Sequence, residues 1–186
     1  MRSGLHAYDD PEQALGDFCA PFVGPGRILH SADHVAAEDL PQAIRSLLAH
    51  NDHMTDTLRQ HFGHEIELNV LDHRQNGDFY QRHITLTLAG SGRVVEAGLV
   101  RIDLRYTTEA VRAAILERRT PLGDVLIQAN VLRRIEPRWY FRFGEGCPLL
   151  ADFCRPELRV AYGRLGTIFC DEAPAIELLE VVAGEG

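Results

Sequence analysis

The stretch FYQRHITLTL, from Phe79 to Leu88, decides how the fold is interpreted, because its side chains alternate with the period of a β-strand. One face of this strand is apolar except for a single arginine, and it consists of Tyr80, Arg82, Ile84, Leu86 and Leu88. A guanidinium keeps its charge at ordinary pH, so burying Arg82 without a partner is costly. The strand therefore predicts a structural ion pair, an arginine that reaches water at a frayed strand end, or a cavity for an anionic ligand.

Length and charge restrict the partners that this chain could have. Its 186 residues suit one domain with a core of its own. The 19 basic residues are outnumbered by 27 acidic ones, which gives a formal charge of −8, and no basic run is present. We therefore expect neither a nucleic-acid surface nor an anionic membrane surface. An anionic ligand would need a local positive site, which an inward-facing arginine could supply.

The cysteines and the apolar segments indicate the compartment. Four cysteines are widely spread and show no C-x-x-C spacing, namely Cys19, Cys147, Cys154 and Cys170. The N-terminus lacks a hydrophobic signal core, and no apolar run is long enough to span a bilayer. These features predict a cytoplasmic protein with reduced thiols.

Two further strands are predicted next to the arginine-bearing one. Residues 66–70 alternate between apolar and polar, and Asn76-Gly77 is a strong hairpin signal directly before the Arg82 strand. Ser91-Gly92 then turns the chain into 93–104, which is rich in valine, leucine and isoleucine. The three strands are expected to form an antiparallel meander.

Helices are predicted before and after this meander. Their starts are expected near Pro11, Pro41, Thr55 and Thr108. The third helix would end at Gly63 as a left-handed cap. The backbone N–H groups of Met54 and Thr55 at its start, and of Leu122 and Gly123 in a later turn, could receive a carboxylate.

The remaining chain completes an α+β fold. Strands are predicted on both sides of Pro137, with a bulge or an edge there, and Pro148–Pro156 is interpreted as a strand that carries Asp152 in an apolar run. Asp152 is the predicted partner of Arg82. Residues 166–186 are interpreted as an added strand or helix. The expected architecture is one antiparallel sheet of five or six strands, with helices on one face or around its ends.

Four short motifs in this order resemble the chorismate pyruvate-lyase family, the 4-hydroxybenzoate synthases. They are HNDHMTDTLRQHFG, QRHITLTL, RRTPLGDVLI and CPLLADFCRP. The resemblance covers residues 47–162 and leaves 166–186 as a C-terminal addition. It implies a chorismate lyase-like fold around a small pocket, and a carbon-oxygen lyase that converts chorismate into 4-hydroxybenzoate and pyruvate without cofactor or metal.

The resemblance also implies roles for individual residues. The family's carboxylate-binding arginine falls on Arg82, and its ligand-binding backbone amides fall on Met54 and Leu122. Its catalytic glutamate falls on Asp152, which is one methylene shorter. This carboxyl group would protonate the departing enolpyruvyl oxygen while Arg82 holds the ring carboxylate. The protein would then act on a small carboxylate as a monomer or a weak homo-oligomer.

Three other functions are compatible with the sequence. The same fold resembles the UTRA ligand-sensing domains of bacterial regulators, so the chain could be a binder of a small cyclic acid, or an isomerase, rather than a lyase. Closely spaced histidines suggest metal, namely His30/His34, His50/His53 and His61/His64. A zinc site needs three or four converging ligands, so solvated histidines are favoured. A cysteine nucleophile would require Cys147 or Cys154 beside a histidine such as His83.

Overall fold

The computed structural model describes residues 4–184. The helices in this part of the chain are α1 (Pro11–Val23), α2 (Pro25–Leu29), α3 (Gln42–Leu48), α4 (Met54–Phe62), α5 (Glu109–Glu117) and α6 (Leu122–Gln128). The strands are β1 (Ala32–Val35), β2 (Ile66–Asn76), β3 (Phe79–Leu88), β4 (Val94–Asp103), β5 (Arg133–Phe143), β6 (Ala161–Cys170) and β7 (Ala173–Ala183). Short 3₁₀ helices lie at Leu5–Ala7, Ala37–Asp39, Leu104–Tyr106 and Pro148–Phe153. No helix within residues 4–184 is long and apolar enough to cross a bilayer.

All strands join one antiparallel sheet in the order β1-β5-β6-β7-β4-β3-β2. The α+β class and the β2–β3–β4 meander are confirmed, with seven strands in the described chain rather than the five or six expected. Residues 166–186 were predicted to be an addition to the fold. Their described part instead completes β6 and forms β7, which lies at the centre of the sheet between β6 and β4.

Helices cover both faces of the sheet, and not one face or its ends as predicted. We call the side on which Arg82 points the Arg82 face. There α3 and α4 enclose one apolar cluster, and α5 and α6 enclose a second. The opposite face is covered by α1, α2 and the Pro148–Phe153 helix, which pack on residues such as Leu99 and Leu179.

Local signals set several of these elements. Gly63 adopts a left-handed conformation (φ 68°) and ends α4, as predicted. The bulge expected near Pro137 is present between Pro137 and Trp139, although β5 continues through it as one strand. The strand predicted over Pro148–Pro156 is wrong. Pro148 instead begins a 3₁₀ helix that buries Leu149 and Phe153, because its fixed φ suits a first helical turn.

Candidate functional site

Arg82 is buried on its strand, with 1% of its surface exposed, as the alternation predicts. Its Nε and Nη1 atoms have no hydrogen-bond partner. Nearly all buried polar groups in native proteins are satisfied, so an orphan guanidinium needs an explanation. Burial lowers the pKa of Arg82 from its ordinary value, but an arginine stays charged in a protein. Arg82 is therefore a buried cation that the described residues do not neutralise through an ion pair.

A small cavity of about 40 Å³ lies beside this guanidinium. It brings together all the residues that were predicted to bind a carboxylate, namely Arg82, Met54, Thr55, Leu122 and Gly123. Its apolar walls come from β3, β4, β6 and β7, with Ile84, Val100, Ile168 and Leu178 among them. The volume suits a group of a few atoms, such as a carboxylate or a few water molecules.

The starts of α4 and α6 meet at this cavity. The residue before each helix, His53 or Pro121, makes no side-chain capping hydrogen bond, so the first N–H groups are not satisfied by a cap. Gly123 permits the close approach. A Cβ there would lie 3.1 Å from Cβ of His53 and 3.3 Å from Oγ1 of Thr55. The helix starts thus add partial positive charge beside Arg82.

Two glutamates also line the cavity. Glu180 on β7 accepts a 2.5 Å hydrogen bond from Nε of Arg164 on β6. Arg164 is 1% exposed and also donates to backbone carbonyl groups in the segment before α4, namely those of Leu48, His50 and Asp52. This ion pair neutralises Glu180 and ties the sheet to the segment that leads into α4.

Glu96 is the second glutamate, on β4, and it is 2% exposed. Its Oε2 atom has no partner. Burial, followed by the nearby charge of Glu180, raises the pKa of Glu96 well above its ordinary value, whereas the charges of Arg164 and Arg82 oppose this shift. The side chain lies over Gly98, where a Cβ would be 3.2 Å from Glu96 Oε1. The raised pKa favours the neutral form of Glu96, and Glu180 is paired with Arg164, so neither glutamate forms an ion pair with Arg82.

His53 forms one wall of the cavity and is 8% exposed. Its Nε2 atom accepts a 2.6 Å hydrogen bond from Nε of Arg133. Burial, together with the charge of Arg133, lowers the pKa of His53 below its ordinary value. The imidazole is therefore neutral at neutral pH, with its remaining proton on Nδ1.

Asp152, predicted to face Arg82 and to supply the catalytic carboxyl group, lies elsewhere. Its Oδ2 atom is 2.6 Å from Nε2 of His83, which follows Arg82 on β3 and points to the opposite face. The 3₁₀ helix that carries Asp152 packs on that opposite face. The predicted pairing with Arg82 is wrong because the sheet separates the two side chains.

The described structure does not support the cysteine-nucleophile alternative or the metal alternative. Cys147 is buried, which raises the pKa of its thiol, and Cys154 is exposed two residues after Asp152. Within residues 4–184, no three histidine, cysteine or acidic side chains converge as metal ligands.

The sequence interpretation missed Glu96, Glu180 and Arg164. Glu96 interrupts the run VVEAGLV as Arg82 interrupts its own strand, so the same test of alternation could have found it. Glu180 and Arg164 required the register of β6 against β7, where the two residues are direct partners. β6 and β7 are joined by the two-residue turn Asp171-Glu172, so the register required recognition of a hairpin in a segment that was interpreted only as an added strand or helix.

Comparison with solved structures relates this architecture to known folds. PhnF from Mycobacterium smegmatis matches with a TM-score of 0.55 at 9% identity, over 71% of this chain and 64% of PhnF. The fold is chorismate lyase-like. The effector domain of PhnF, solved separately, matches with a TM-score of 0.48 at 10% identity, over 72% of this chain and 89% of that domain. No protein-family model and no curated protein matches the sequence. At 64% coverage, this chain spans less than two thirds of the length of PhnF.

Proposed function

We propose that this chain binds a small cyclic carboxylate, with the carboxylate group on Arg82. The observation that carries the proposal is the buried guanidinium with two orphan nitrogen atoms at a cavity. A carboxylate would accept two parallel hydrogen bonds from this guanidinium. The N–H groups at the start of α4 would complete the anion site.

The fold favours a binder over an enzyme. It is shared with PhnF, and the fold expected from the sequence resembles that of UTRA ligand-sensing domains. The charges in the cavity agree with this function, because Glu180 is paired with Arg164 and the raised pKa of Glu96 favours its neutral form. The expected ligand is therefore an anion, although the whole chain carries a net charge of −8.

A lyase acting on chorismate is the second candidate, and Glu96 is the observation that favours it. A protonated carboxyl group in an apolar cavity could give its proton to the enolpyruvyl ether oxygen as the C–O bond breaks. The leaving group would be enolpyruvate, which tautomerises to pyruvate, and transfer of the ring proton from the carbon that bears the hydroxyl group to the Glu96 carboxylate would complete 4-hydroxybenzoate. In this proposal Glu96 takes the part that the sequence resemblance gave to Asp152.

Calorimetric titration with 4-hydroxybenzoate tests the binder, and pyruvate release from chorismate tests the lyase. We expect binding by the wild type and a loss of about 10- to 100-fold in Arg82→Gln, which removes charge-assisted hydrogen bonds. Asp152→Asn is the matched control on the opposite face and should bind normally.

The outcomes separate the two functions. Binding without pyruvate release supports the binder alone, whereas release that Glu96→Gln abolishes supports the lyase. Equal binding by the wild type and Arg82→Gln would overturn the site. So would a loss of binding in Asp152→Asn as large as that in Arg82→Gln.

A further inference from the structure

A polar groove of about 810 Å³ lies on the other side of His53 from the Arg82 cavity. It runs between the first turns of α4 and the chain that enters β5. Its walls include Asn51, Thr57, Gln60, Asn130 and Arg133. Among the described residues, His53 is the one that lines both the cavity and the groove. The His53 side chain is thus the partition between a small buried cavity and a large open groove.

Arg133 is the unusual group in this groove. Its Nε donates to the neutral His53 ring, and its Nη1 donates to the carbonyl of Val131 at 3.1 Å. Neither of these partners within residues 4–184 is negatively charged. The next residue, Arg134, also lines the groove, but it pairs with Glu136 and lies 3.9 Å from Glu172. Arg133 therefore presents a positive charge without a counter-ion.

Asp52 and Asp56 line the groove, and within residues 4–184 neither forms an ion pair with Arg133. Asp56 lies 3.1 Å from Arg59, which also pairs with Glu65 and Asp124, and Asp52 is exposed to solvent, which screens its charge. Two guanidinium groups without counter-ions, Arg82 and Arg133, consequently lie on the two sides of His53. A cavity of about 40 Å³ holds a carboxylate but not a ring, so the rest of a ligand must displace one wall.

We propose that the groove is the second half of the binding site and that the ligand is a dianion, with one anionic group on Arg82 and another on Arg133. His53 moves aside when this ligand binds, and the body of the ligand takes its place between the cavity and the groove. This inference rests on the proposed anion site at Arg82 and adds the chemical class of the ligand.

The experiment compares a monoacid with a diacid built on it. The probes are 4-hydroxybenzoate and its carboxymethyl ether, 4-carboxymethoxybenzoate, titrated into the full chain. We expect the diacid to bind the wild type about 10- to 100-fold more tightly than the monoacid, because it gains one charge-assisted contact. Arg133→Gln should remove this preference, so that the variant binds the two probes with similar affinity.

Two further variants separate charge from position. Arg134→Gln removes a neighbouring arginine that already has carboxylate partners, so the diacid preference should persist. Arg133→Lys keeps the positive charge, and most of the preference should persist with it. If Arg133→Gln weakened the binding of both probes by the same factor, Arg133 would only position His53. That result would overturn the proposal of a dianionic ligand.

The result also distinguishes this inference from the proposed function. If the monoacid binds through Arg82 and the diacid binds no better, the groove proposal fails and the anion site stands. If neither probe binds, or if Arg82→Gln binds both normally, both proposals fail.

Discussion

Replacing Arg82 by methionine should stabilise the protein while it abolishes ligand binding. The side chain has two buried nitrogen atoms without partners, and each such donor costs about 1–3 kcal/mol in the folded state. Methionine keeps most of the apolar stem and removes the charge. Arg82 forms no ion pair within the described residues, so the substitution does not separate a carboxylate from a paired arginine. We expect the free energy of unfolding to rise by about 1–4 kcal/mol.

Arg164 provides a matched comparison, since it is equally buried on the same face but is paired with Glu180. Arg164→Met should lower the free energy of unfolding by about 3–5 kcal/mol, because it leaves Glu180 and several carbonyl groups without a partner.

Urea unfolding at pH 7, with and without 4-hydroxybenzoate, measures both effects. At 100 times its Kd the ligand should add about 2.7 kcal/mol to the wild type and nothing to Arg82→Met. Loss of 2 kcal/mol or more in ligand-free Arg82→Met would refute the reasoning, because it would mean that Arg82 is satisfied within the fold.

Two other substitutions test the cavity. Glu96→Gln should make stability less dependent on pH: the raised pKa of Glu96 stabilises the folded state at low pH, and this contribution is lost as pH rises from about 4.3 through the folded-state pKa. In urea unfolding experiments, the free energy of unfolding of Glu96→Gln should rise relative to that of the wild type from pH 4 to pH 8. A difference between the two proteins that stays constant with pH would contradict the assignment. Gly123→Ala should lower the free energy of unfolding by about 1–3 kcal/mol and weaken 4-hydroxybenzoate binding. The new methyl group would push the side chains of His53 and Thr55 away from residue 123. Gly98→Ala, which meets Glu96 instead, tests whether any added methyl group in the cavity has this effect, and unchanged binding in Gly123→Ala would argue against the helix starts as an anion site.

The part of the candidate site around Arg82 could be predicted from the sequence because its signals are local. A strand shows its buried face through alternation, which was enough to place Arg82 inside. Helix starts follow short-range rules, and these placed the N–H groups of Met54 and Leu122. The expectation that all three lie at one pocket came from the family resemblance, and in the structure Arg82, Met54 and Leu122 line the same cavity.

The acidic half of the site could not be predicted in the same way. A mostly apolar segment of six residues that begins with a proline suits a buried strand and a 3₁₀ helix equally well, so the interpretation of Asp152 depended on an ambiguous element. Glu180 belongs to a segment that was interpreted as an appendage. Its place beside Arg164 follows from pairing between β6 and β7, and the place of β7 beside β4 joins residues about 80 positions apart.

The central position of β7 has a consequence for the order of folding. The β2–β4 meander and the β5–β7 meander each consist of strands that are near neighbours in sequence, so they can form early. The sheet becomes continuous only when β7 pairs with β4, which lies far from it in sequence. Because β7 also carries Glu180, its pairing with β4 brings the two halves of the cavity wall together. Ligand-binding competence should therefore appear in the slowest folding phase, together with closure of the sheet.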